Sequence, residues 1–236
     1  MDKFLTGKYA VVTGGTRGIG RAIAEALLDH GAAVAICGRS EDTVHAAVAE
    51  LGERGTAIGM RADVGVPGDV ARFFRFVEER FPRVDVLVNN AGIGIFRSVA
   101  DLSIEEWQAT LNLNLSGVFY CCREALAGFR KQGSGYIINI SSLAGKNPFA
   151  GGSAYNASKF GLNGFSEAMM LDHRNDGVQV TSIMPGSVAT NFGKGGGEDW
   201  KVMPEDIAEI VLSLLRMPER TLVSAVEVRP SRPAKK

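Results

Sequence analysis

The sequence carries no net charge, no disulfide or zinc pattern and no apolar run of membrane length, and each absence closes a class of function. Lysine plus arginine and aspartate plus glutamate both number 26. Without an excess of either sign, no global field draws in nucleic acid or an anionic membrane surface. The basic end, Arg232, Lys235 and Lys236, reads as part of a solvated tail over 230–236. Only three cysteines occur, Cys37, Cys121 and Cys122, with no C-x-x-C, which excludes a disulfide framework and a zinc ribbon. The scattered histidines, His30, His45 and His173, lack metal-ligand spacing, so no metal site is expected. No uncharged stretch approaches the ~18 residues of a membrane helix, and residues 1–8 hold no apolar leader core. No G-x-S-x-G elbow points to a hydrolase. A soluble protein of the reducing cytoplasm is the expectation.

What remains is a globular composition, 45% hydrophobic and 22% charged, on 236 residues. That length suits one α/β domain over 1–236. Short β-branched runs alternate with stretches of helical period. Strands are expected at Tyr9–Thr13, Ala33–Cys37, Thr56–Met60, Val84–Asn89, Tyr136–Ser141, Val178–Met184 and Leu222–Val228. Helices are expected at Ile19–Asp29, Asp42–Glu53, Gly68–Phe81, Ser103–Arg130, Ala154–Asn175 and Glu205–Leu215. Ser103 with Glu106 forms a capping box, and Pro204 opens the last helix. Near-continuous apolar strands with helices between them predict a doubly wound, mostly parallel seven-stranded sheet with helices on both faces.

The first strand runs into Thr13-Gly14-Gly15-Thr16-Arg17-Gly18-Ile19-Gly20, with a helix following at once. Glycines allow a tight turn and close approach to a pyrophosphate, and the helix N-terminus offers free N–H groups. Such turns also serve mere strand-to-helix packing, but the first β–α–β unit is where a dinucleotide needs one. The second strand ends Cys37-Gly38-Arg39-Ser40, where an NAD-preferring site places an acid about ~20 residues past the glycines. An arginine fork matches a 2′-phosphate instead. Arg39, with Arg17 in the turn, points to NADP(H).

Tyr155 and Lys159 stand at i and i+4 on one helix face. An ammonium beside a phenol favours phenolate and lowers a pKa that is otherwise near ~10. The pair can therefore exchange protons with a carbonyl or an alcohol.

With Thr13–Gly20, Asp63-Val64, Asn89-Asn90-Ala91-Gly92, Asn114, Ser142, Tyr155, Lys159, Pro185-Gly186 and Thr190 in this order, the chain resembles the short-chain dehydrogenase/reductase family. The resemblance runs from about Lys8 to Thr190 and leans toward NADPH-dependent 3-oxoacyl-thioester (acyl-carrier-protein) reductases. It implies a Rossmann-type fold, with Tyr155 as catalytic acid/base and Lys159 lowering its pKa and holding the nicotinamide ribose. Ser142, thirteen residues before Tyr155, would bond the substrate oxygen; Ser141 is its rival. Asn114 would anchor a proton-relay water, with Asn112 facing away. Gly14, Thr16, Arg17, Gly18, Ile19, Gly20, Arg39 and Ser40 would bind the phosphate-bearing half of the cofactor. Asp63 and Val64 would meet adenine, and Asn90, Ala91 and Gly92 the adenosine and ribose side. Pro185, Gly186, Val188 and Thr190 would lie at the nicotinamide.

Residues 191–203 are expected to form a flexible lid on the substrate side, with Phe192 or Trp200 as apolar contacts. The resemblance also implies a homodimer or homotetramer packed through the two long helices. The functional expectation is reduction of a ketone. An alcohol or sugar dehydrogenase working oxidatively is the alternative, and a non-catalytic NADP(H)-binding sensor or scaffold is one of another class. Any partner is then a small carbonyl or alcohol molecule.

Overall fold

Alternation along each strand separates two cores. In β1 (Tyr9–Thr13), Val12 points to one face and Val11 to the other. In β2 (Ala33–Gly38), Val34 and Ile36 oppose Ala35 and Cys37. Both sets are buried, which is why these strands read as unbroken apolar runs. The computed structural model describes residues 2–190, 192 and 199–232.

The other strands are β3 (Ala57–Arg61), β4 (Val86–Asn89), β5 (Gly135–Ile140), β6 (Val178–Pro185) and β7 (Ala225–Val228). They form one sheet in the order β3-β2-β1-β4-β5-β6-β7, and every pairing is parallel. Helices α1 (Gly18–Asp29), α2 (Glu41–Gly52) and α7 (Pro204–Leu215) cover one face, through Leu27, Leu51, Ile207 and Val211. Helices α3 (Pro67–Glu78), α5 (Gly117–Gln132) and α6 (Ser153–His173) cover the other, through Phe73, Phe74, Phe129 and Met169. No helix among the described residues is long and apolar enough to cross a membrane.

Several boundaries differ from the sequence expectation, and three of the differences have a clear local reason. β4 starts at Val86, because the Asp85 carboxylate accepts from the Tyr9 N–H and pairs with Lys8 and Arg83. β7 is short because side chains on β6 take the carbonyls before it: the Thr181 hydroxyl donates to Val223 O at 2.6 Å, and Gln179 donates to Thr221 O. The expected helix Ser103–Arg130 is divided. Its Ser103–Glu106 capping box is present and opens α4 (Ile104–Leu111). A π-helical turn at Asn112–Ser116 then separates α4 from α5.

The winding direction reverses between β1 and β4. Such a switch point leaves a crevice at the carboxyl ends of the strands, where the loops after β1 and β4 part to opposite sides.

Candidate active site

The crevice is an open cleft of about 1090 Å³. Its floor at one end is the turn after β1. Gly14 has φ +65°, a left-handed conformation, and a Cβ there would come within 3.0 Å of Ala91 Cα. Arg17 precedes α1 without a side-chain cap, so the leading N–H groups of the helix have no side-chain acceptor. Gly14, Thr16, Arg17, Gly18 and Ile19 all line the cleft. A glycine cradle below uncapped N–H groups fits a pyrophosphate.

Thr13 secures this turn. Its hydroxyl accepts from the Asn90 and Ala91 N–H groups at 3.0 and 3.1 Å and donates to Val88 O. Asn90 returns the connection, donating through Nδ2 to the Thr13 and Gly14 carbonyls. The loops after β1 and β4 are thereby held as one unit. Gly20 does not line the cleft. A Cβ there would lie 2.3 Å from Asn90 Nδ2 and 2.5 Å from Gly14 O, so its service is to let α1 close against the turn.

Arg39 and Ser40 line the same end, and Ser40 caps α2 by accepting from Thr43 N. Arg17 and Arg39 are both exposed. Val64 lines the wall, but Asp63 does not. The Asp63 carboxylate accepts from Gly65 N at 2.9 Å, and its own N–H donates to Asp69, so this acid shapes the turn into α3. Asn90, Ala91 and Gly92 line the middle of the cleft, with Pro185, Gly186, Val188 and Thr190 along the β6 side.

At the other end α6 brings Tyr155 and Lys159 onto the wall, one helical turn apart, with Ser142 from the end of β5. Ser142 is distinguished from Ser141 by its partners. The Ser141 hydroxyl is buried and donates to Asn163 Oδ1 at 2.6 Å. That of Ser142 accepts from Ala144 N, makes a long contact, 3.5 Å, to Pro185 O, and faces the Tyr155 hydroxyl. Ser142 is the freer donor.

The proton chemistry departs from the simple pairing. Lys159 is buried, and its Nζ donates to the Ile140 carbonyl at 2.9 Å, lying 5.7 Å from the centre of the Tyr155 ring. Burial pushes this ammonium down to about 8. Burial also pushes the Tyr155 phenol up, with the Ser142 hydroxyl working against it. In this arrangement the Lys159 ammonium is bonded to a carbonyl, and burial is the larger influence on the phenol.

Asn114 packs behind the cleft wall. It lies in the π-helical turn, fully buried, and does not line the cleft. Its Nδ2 donates to Ile93 O and Ser158 Oγ, and its Oδ1 accepts from Ile93 N at 2.8 Å. Its two bonds to Ile93 clamp the loop after β4. Asn112 is exposed.

Phe96 and Leu143 are among the cleft residues that the sequence reading of the site did not single out. They lie outside the motifs, where no periodicity tells which way a side chain turns. Phe192 lines the cleft, as does Lys201, whose ammonium lies over the Trp200 ring. The remaining lid positions, Asn191 and 193–198, lie outside the described residues, as does the tail from 233. All three cysteines are buried and free, and no cluster of metal-ligating side chains occurs among the described residues.

Comparison with known proteins places this geometry. The short chain dehydrogenase family model matches residues 8–199. An uncharacterized oxidoreductase of Staphylococcus saprophyticus is 33% identical over 232 residues, covering 96% of this chain and 98% of the relative. An alcohol dehydrogenase from the archaeon Thermococcus sibiricus, solved in complex with 5-hydroxy-NADP, superposes with a TM-score of 0.89 at 32% identity, covering 97% and 99% of the two chains. A metagenomic short-chain oxidoreductase in complex with NADP gives 0.86 at 36% identity, with the same coverage. With a nucleotide cradle at one end of its cleft, a Ser142–Tyr155–Lys159 wall at the other, and relatives matched over nearly its whole length, the chain belongs to the short-chain dehydrogenase family of oxidoreductases.

Proposed function

We propose that the protein is an NADP(H)-dependent reductase that converts a ketone to a secondary alcohol. The observation that carries this reading is the convergence of Ser142, Tyr155 and Lys159 on the same cleft whose far end Arg17 and Arg39 rim. Both similar solved structures hold NADP or a derivative of it. Arg39 and Arg17 are the groups to take the 2′-phosphate, the Gly14–Ile19 turn the pyrophosphate, and Val188 and Thr190 the carboxamide end.

When bound, the dinucleotide supplies the hydride that adds to the carbonyl carbon. The chain's own residues handle the oxygen. Ser142 donates a hydrogen bond where negative charge develops. Tyr155 gives its proton to that oxygen, a role suited to a phenol held in its protonated form by burial. Lys159, anchored on Ile140 O, lines the same cleft wall, from which it would hold the ribose. The product is an alcohol, and bulk solvent restores the tyrosine proton.

The test is consumption of NADPH absorbance by the purified protein with a panel of ketones, including 3-oxoacyl thioesters. Turnover with NADPH well above that with NADH is expected. Turnover only with secondary alcohols and NADP⁺ would instead make it an oxidative dehydrogenase.

A further inference from the structure

The reducing end of the cleft is lined by more aromatic surface than proton transfer requires. Phe96 stands edge-on to Tyr155, with ring centres 5.5 Å apart and planes at 85°. Phe149 packs on Phe96 in the same edge-to-face manner at 5.5 Å. Phe192 lies tilted against Tyr155 at 5.9 Å. The phenol ring therefore sits beside two phenyl rings with a third packed on one of them, brought from the loop after β4, the segment after β6 and the loop after β5.

Two glycines seat these rings. A Cβ on Gly94 would lie 2.7 Å from both Phe96 Cζ and Phe192 Cε1. A Cβ on Gly152 would lie 2.6 Å from Phe149 Cζ. The Phe149 carbonyl is held as well, accepting from Gly152 N and Asn156 Nδ2. The rings are thus positioned against backbone rather than packed into the core. They remain 47%, 44% and 43% exposed for Phe96, Phe149 and Phe192. Seated, half-exposed rings around a reacting group are apolar area held open for a ligand.

We propose that this cleft takes a flat, uncharged aryl ketone, its ring held between Phe96, Phe149 and Phe192 and its oxygen on Ser142 and Tyr155. The assignment rests on the reductase reading above and narrows its substrate. Ring edges and faces are both presented, which suits edge-to-face and offset contact with another π-system. The charges on the cleft wall are placed elsewhere. Arg17 and Arg39 lie at the nucleotide end, Lys159 is bound to Ile140 O, and the Lys201 ammonium lies over Trp200. Among the described residues lining the cleft, no cation is thereby aimed at a carboxylate beside the phenyl rings.

The experiment compares kcat/KM for acetophenone, butan-2-one and acetoacetyl-coenzyme A, with NADPH as reductant, in the wild type and in Phe149→Ala, Phe149→Leu and Phe96→Ala. NADPH fluorescence titration reports that each variant is folded. Acetophenone is expected to be the best of the three for the wild type. Its kcat/KM relative to butan-2-one should fall about tenfold in every variant, including Phe149→Leu, which keeps apolar bulk but loses the ring. An unchanged ratio, a ratio restored by leucine, or a wild-type preference for the thioester would each overturn the aryl assignment and leave the reductase reading standing. Binding of NADPH with no turnover of any of the three, nor of the wider ketone panel, would overturn both.

Discussion

Lys159 donates its ammonium proton to the carbonyl of Ile140, 2.9 Å away, from a position with almost no solvent contact. The bond ties α6 to the end of β5, and it leaves one buried charge with a single neutral acceptor. That arrangement has a signature in stability as well as in catalysis.

The folded chain releases the Lys159 proton near pH 8, whereas an ordinary lysine does so near 10.5. Between these values the unfolded chain binds more protons, so this residue makes stability rise with pH across that window. Below it, the buried ammonium costs on the order of 3 kcal/mol. The thiols of Cys37 and Cys122 act oppositely, since burial raises both from 9.0 to about 12 and favours the folded chain below that range. A difference curve isolates the lysine. In urea unfolding without cofactor, Lys159→Met should be more stable than the wild type at neutral pH by up to about 3 kcal/mol, the gap closing as pH approaches 10.5. A gap independent of pH would show that the ammonium is not desolvated.

Tyr155→Phe removes only the phenolic oxygen and keeps the ring contacts with Phe96 and Phe192. Melting temperature and NADPH binding should stay near wild type. Turnover should fall by about 100-fold or more, the range of a lost general acid. Steady-state kinetics beside a fluorescence titration decides it, and turnover that survives removes Tyr155 from the proton path.

Arg39→Asp places a carboxylate where the 2′-phosphate is expected. Loss of a charge-assisted contact worth about 1.5–3 kcal/mol should lower the NADPH-to-NADH affinity ratio by roughly 10- to 100-fold. If the two cofactors keep their relative affinities, Arg39 is a spectator on the rim.

Thr13→Val leaves the Asn90 and Ala91 N–H groups without their acceptor. A stability loss of about 1–3 kcal/mol is expected, together with weaker NADPH binding, because the same hydroxyl holds the loops after β1 and β4 together. Chemical denaturation gives the first quantity and titration the second. A variant as stable as the wild type would mean that water takes over the role of the hydroxyl.

The sheet was legible because its strands are buried on both faces. Val34-Ala35-Ile36-Cys37 and Val86-Leu87-Val88 read as apolar without alternation, and only a covered parallel sheet asks for that. The glycine turn and the Tyr155–Lys159 spacing were legible because they are local. What escaped was orientation set by tertiary contact. Asp63 sits within the resembling motif, but its bond to Gly65 N, which shapes the turn into α3, has no signal in the string. Phe96 and Phe149 carry no positional signal, since the rings are aimed by Gly94 and Gly152 and by chain that is distant in sequence. Thr13 was quoted only as part of a motif, because nothing in the string reveals that its hydroxyl serves a loop more than seventy residues away.

The π-helical turn at Asn112–Ser116 inserts one residue into what would otherwise be a single helical screw. An extra residue advances the phase by about 100°, so α4 and α5 cannot share one continuous stripe. Upstream of the slip, Thr110 alone is buried in α4, and Trp107 stays partly open to solvent. Downstream, Val118, Cys121, Cys122, Ala125 and Phe129 turn into the sheet. A one-residue frame slip thus makes the segment two independently oriented surfaces in series. Excising a residue here would rotate one surface against the other without touching any side chain of either.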